Sequence, residues 1–97
     1  MRYRTVRNWP PTWVERRAGM GGEELRGEIG VLKEIVPSIL FPSSSRFFLI
    51  MEHEDKEYMG CLIFDDASFC RDIFRILRAH TGSTIADIGG LDVSCLL

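Results

Sequence analysis

What this 97-residue sequence lacks narrows its nature before any motif is read. The longest uninterrupted apolar run is Phe47–Met51, far short of the ~20 residues a membrane-crossing helix needs. The basic start, MRYRTVRNWPP, has no apolar stretch behind it and does not read as a secretory leader. Cysteine is scarce and odd in number; Cys61, Cys70 and Cys95 stand at irregular spacing, which argues against a disulfide framework. Those thiols and the two histidines, His53 and His80, show none of the paired spacings that put two ligands on one ion. The glycine cluster Gly19-Met20-Gly21-Gly22 has no strand before it and no Lys-Ser/Thr after it, as a phosphate-binding turn would require. The expectations are therefore no metal, no cofactor, no membrane association and a reduced, cytoplasmic setting.

What is present is an ordinary globular composition, 45% hydrophobic and 27% charged, in a chain long enough to bury one core without staples. The net charge of −2 hides an asymmetry. Residues 1–17 hold five arginines against Glu15 alone, a local +4 that leaves −6 on the remainder. We therefore read residues 1–22 as a basic arm containing Trp9, Trp13 and Pro10-Pro11, and residues 23–97 as a single α+β domain. A basic arm beside an acidic body suits an anionic partner, or the body of a second copy.

The most informative stretch is Arg46–Ser68, two apolar strands folded back through a charged tip and followed by Asp65-Asp66. Phe47–Glu52 and Tyr58–Phe64 are rich in residues that favour strands. A two-residue turn at Asp55-Lys56 predicts that His53 faces Tyr58, Met51 faces Gly60, Leu49 faces Leu62 and Phe47 faces Phe64. Phe48, Ile50, Cys61 and Ile63 then share the opposite face. Both faces are apolar, whereas an open antiparallel sheet needs only one such face. Either side therefore requires a cover.

Residues 67–80 supply one cover. Phe69, Cys70, Ile73, Phe74 and Leu77 repeat at helical spacing, Asp65 or Asp66 can cap the start, and Gly82 suits a left-handed end. Thr84 to Asp87 resembles a capping box and predicts a short second helix near 85–89, with an extended piece at Leu91-Asp92-Val93. Residues 23–36 fit either a helix or a strand; Gly27 and Gly30 weigh toward a strand from Glu28 that contains a bend. Pro37–Ser45 is a loop by composition, with Ile39, Leu40 and Phe41 expected to tuck into the core. A further short strand can form near Trp13. The fold expected is α+β: an antiparallel sheet of three to four strands around the hairpin, packed by the amphipathic helix and the short one.

Three functions compete for this architecture. Two-sided apolarity of the sheet favours a non-catalytic binding or interaction module that self-associates as a homodimer, or binds another protein. Arginines interleaved with Tyr3, Trp9 and Trp13 in the N-terminal arm, together with Arg71, Arg75 and Arg78 at i, i+4 and i+7, would suit single-stranded RNA or another nucleic acid, although the chain as a whole is not basic. Trp9, Trp13, Arg71, Arg75 and Arg78 are the candidate partner contacts. The third is a thiol enzyme using Cys70 at a helix start with His53 or His80 as base, but Cys70 lies beside the apolar stripe and no catalytic signature surrounds it. The carboxylates Glu52, Glu54, Asp55 and Glu57 read as a solvated hairpin tip. The expectation is not an enzyme.

Overall fold

A computed structural model describes residues 6–16, 24–27, 29–38 and 45–89. In chain order these hold β1 (Val6–Arg7), β2 (Thr12–Glu15), β3 (Glu24–Arg26), β4 (Val31–Pro37), β5 (Arg46–His53), β6 (Lys56–Phe64), α1 (Ala67–Arg78) and α2 (Ile85–Gly89). The class is α+β as expected, but the sheet has six strands and not three or four. Its order is β3-β2-β6-β5-β4, with β1 also paired to β6. β2 is the short strand expected near Trp13, and the two strands beyond the expected number are β1 and β3: β1 and β2 both run antiparallel along β6, and β3 pairs with β2. The sheet therefore begins well before residue 23, and residues 6–16 belong to it.

The hairpin forms with a different turn. Glu54 and Asp55 occupy the loop, both in the left-handed region at φ 49° and 61°. Two such residues make the primed turn whose twist matches the strands, and Asp tolerates it better than most. The register consequently moves by two places, so that Met51 pairs with Tyr58, Leu49 with Gly60 and Phe47 with Leu62. An even shift leaves each side chain on its expected face. Glu52 now opposes Glu57, and each carboxylate has a cation beside it: Lys33 Nζ at 2.9 Å and Arg16 at 3.8 Å. Replacing Glu54-Asp55 by Asn-Gly is expected to stabilise the fold by about 1 kcal/mol, because glycine carries no Cβ penalty in this conformation. Thermal unfolding checks it, with a midpoint rise of about 4–8 °C for a domain of this size.

Helix α1 starts where Asp66 accepts a hydrogen bond from the Phe69 N–H at 2.9 Å, a cap that contributes about 1 kcal/mol. Its apolar stripe, Phe69, Cys70, Ile73 and Leu77, is buried in one cluster with Phe47, Leu49, Leu62 and Phe64 of the hairpin. Phe47 stacks on Phe64 at 5.2 Å and meets the edge of Phe74 at 5.4 Å, while Phe64 meets Phe69 at 5.7 Å. Ala79, not Gly82, caps the helix end. Gly82 does take a positive φ of 94°, and it turns the chain onto β4. There the Gly82 N–H donates to Leu32, the Leu32 N–H to Ser83, and the Ile85 N–H to Gly30. The first part of an otherwise open edge, at Gly30 and Leu32, is closed this way. Thr84 then caps α2 by accepting from the Asp87 N–H at 3.2 Å, and Ile85 and Ile88 complete the core.

Where residues 23–36 were expected to hold one strand or one helix, two strands stand, Glu24–Arg26 and Val31–Pro37, with Gly30 at φ 101° just ahead of the second. The expected positions of Ile39, Leu40 and Phe41, the glycine cluster at 19–22 and the extended piece at 91–93 lie outside the described residues. No helix among the described residues is long and apolar enough to cross a membrane.

Candidate interaction surfaces

Strand alternation sorts the sheet into two faces. The core face carries Trp13, Leu32, Ile35, Phe47, Leu49, Met51, Tyr58, Leu62 and Phe64, all in the cluster that α1 covers. Across the other face run four rows, read from the register. Arg7, Ile63 and Arg46 form the first; Cys61, Phe48 and Val36 the second; Glu24, Val14, Met59, Ile50 and Glu34 the third; Glu57, Glu52 and Val31 the fourth. Both central rows are apolar apart from Glu24 and Glu34, which stand at the two ends of the third. Ile50 is only 2% exposed, but around it Val14 (44%), Met59 (41%) and Val31 (36%) are open, and Phe48, Cys61 and Ile63 are half-buried. Neither described helix lies on this face; the buried residues of both belong to the core cluster. The Cα atoms span 42 × 30 × 19 Å, and the smallest dimension suits one sheet plus one helix layer.

Arg71, Arg75 and Arg78 project from the opposite side of the molecule, on the solvent side of α1, and all three are exposed. Arg75 lies 3.9 Å from Asp72, and Arg75 and Arg78 occupy the last turn, where cations complement the helix dipole. Arg78 also borders a groove of about 510 Å³ between α1 and the edge of β4, lined by Lys33, Glu34, Ile35, Pro37, Phe74 and Thr81. The ridge is thus one wall of a shallow, mixed-charge groove as well as a solvated face.

The tryptophans behave differently from the expectation that they contact a partner. Trp13 is fully buried, its ring laid over Gly60 with Pro11 beside it, and Trp9 is half-buried against the same core. Trp13 therefore has no surface to offer a partner; the sheet takes it because Gly60 leaves a slot in β6 with no side chain. Among the described residues the Trp13 Nε1–H has no hydrogen-bond partner, and it faces the backbone at Gly27.

The reactive groups do not converge. Burial pushes the Cys70 thiol up to about 11, outweighing the downward pull of Arg71, so it is protonated at neutral pH. A nucleophilic thiol needs the opposite shift. No hydrogen bond joins Cys70 to His53 or His80 among the described residues. Burial also raises the Cys61 thiol, and Arg46, on the same face, pulls it back down. His53 lies 3.9 Å from Glu54 at the hairpin tip. Among the described residues no three His, Cys, Asp or Glu side chains gather as a metal site would need.

Sequence periodicity alone identifies Phe48, Ile50, Cys61 and Ile63 on the open face. It puts Met59 on that face too, but misses Val14, which joins Met59 to make the most exposed pair only when β2 lies on β6. Alternation within Thr12–Glu15 and past Gly60 carried that signal. No family model, characterised protein or solved structure matches this chain.

Proposed function

We propose that this chain is a non-catalytic binding and interaction module that self-associates, as a two-fold dimer, through the face of its sheet that neither described helix covers. One observation carries the reading: Val14 and Met59 pair side by side in the open, continuous with Phe48, Ile50, Cys61 and Ile63. An apolar patch of this kind, rimmed by charge, marks an association surface. A stable interface buries roughly 800 Å² from each partner. The broad side of the molecule, 42 × 30 Å, is large enough to supply that area. The nucleic-acid reading is weakened by the burial of Trp13, since stacking on bases needs an exposed ring.

Met59→Glu tests the proposal. A carboxylate desolvated in the middle of an apolar interface costs several kcal/mol, so the variant is expected to dimerise at least 100-fold more weakly while remaining folded. Light scattering on a sizing column reads the mass of both forms at tens of micromolar. Alkylation of Cys61, mapped by peptide mass, should be slowed in concentrated wild type and restored in the variant. A wild-type chain that stays strictly monomeric under these conditions sinks the idea.

A further inference from the structure

The four rows of the open face have an order that a flat apolar patch would not need. Their hydrophobicity is symmetric about the middle, with the Cys61–Phe48 and Met59–Ile50 rows at the centre. Their charge is antisymmetric. Arg7 and Arg46 flank Ile63 at one end, whereas at the other Glu52 and Glu57, with Glu24 and Glu34 in the row beside them, outnumber the two cations Lys33 and Arg16. Along β5, Arg46 and Glu52 stand about 20 Å apart, six residues at ~3.3 Å each.

Two sheets packed face to face can be related by a two-fold axis along the strands or across them. An axis along the strands keeps each row at its own level. It stacks the arginine end on the arginine end and the glutamate end on the glutamate end. An axis across the strands reverses the levels and leaves each strand over its own copy. Phe48 then lies over Ile50 of the other copy, Cys61 over Met59, and Arg46 over Glu52. Only the second arrangement joins unlike charges while still matching the apolar rows.

We propose that two copies of this chain dock antiparallel through the open face, with Arg46 of each copy on Glu52 of the other. This deepens, and rests on, the self-association proposed above. Glu52 already accepts from Lys33, and the pair is about half exposed, so a carboxylate with several acceptor positions has room for a guanidinium as well. Arg46 is exposed and lies beside Cys61 on the same face. The contact sits at the rim of the apolar rows and not within them, where it sets orientation more than total affinity.

Charge exchange between chains tests the arrangement. Arg46→Glu alone puts two carboxylate–carboxylate contacts in its own dimer, and Glu52→Arg alone puts two guanidinium pairs in its own. Each is expected to associate at least tenfold more weakly than wild type. Mixed one to one, they make a heterodimer in which both contacts join opposite charges, and native mass spectrometry should show it recovering wild-type strength. The double variant Arg46→Glu/Glu52→Arg restores both contacts in a single chain and serves as the check if one single variant folds poorly. A dimeric wild type whose variants associate undiminished, or whose mixture stays monomeric, overturns the orientation and leaves self-association standing. A monomeric wild type removes both.

Discussion

Replacing Gly60 by valine is expected to cost about 3–5 kcal/mol, a large share of the roughly 5–15 kcal/mol available to a domain of this size. A Cβ at Gly60 would stand 2.9 Å from Cε3 and 3.1 Å from Cζ3 of Trp13, and 3.2 Å from Cβ of Pro11. The indole ring is rigid and fully buried, so it cannot yield by a few tenths of an ångström and stay where it is. To make room, Trp13 must leave the core, and its loss resembles a tryptophan-to-alanine truncation. Urea unfolding reads the stability, and native tryptophan emission should shift to the red as Trp13 becomes wet. Trp13→Ala made alone should cost a similar amount, and the double variant should cost much less than the two singles added together. A loss below about 1 kcal/mol in Gly60→Val would mean that the ring does not occupy this slot.

Phe47→Ala should be comparably damaging, at about 3–5 kcal/mol, while the neighbouring Phe48→Ala should cost about 1 kcal/mol in the monomer. The two differ by one position along β5 and lie on opposite faces of the sheet. Phe47 is packed by Phe64 at 5.2 Å and Phe74 at 5.4 Å, so its ring joins both strands of the hairpin to the helix. Phe48 is half-buried and has no ring contact with another described residue. Measured at concentrations where the chain is monomeric, equal losses at the two sites would contradict the assignment of the core face.

Elements carried by local periodicity were legible before any coordinates. The hairpin strands, α1 with its cap narrowed to Asp65 or Asp66, the short α2 with Thr84 at its start, and the two-sided apolarity of the sheet all follow from spacing within one segment. The choice between Glu54-Asp55 and Asp55-Lys56 as the turn was not legible. Two left-handed residues there depend on strand twist as much as on residue type. Nor was the place of Trp13, because strands of two and four residues on either side of Pro10-Pro11 carry little pattern of their own. They acquire their position from Gly60, a residue that signals nothing until its partner is known. The candidate surface shows the same division. Phe48, Ile50, Cys61 and Ile63 came from alternation, whereas Val14 joined them only through pairing with a distant strand.

That pairing orders the birth of the molecule. Val14 meets Met59, and Val6 meets Phe64, so the strands made first find their places only on a strand made much later. On a ribosome, Trp13 leaves the exit tunnel long before Gly60 exists, and its ring must stay in water until then. Sheets closed by such distant contacts fold in milliseconds to seconds, slower than helical proteins of the same length. Synthesis at about 5–20 residues per second keeps the early strands waiting for several seconds more. During that interval the two prolines beside Trp13 serve a second purpose: by withholding backbone donors, they keep a nascent, unpaired strand from adding to another chain.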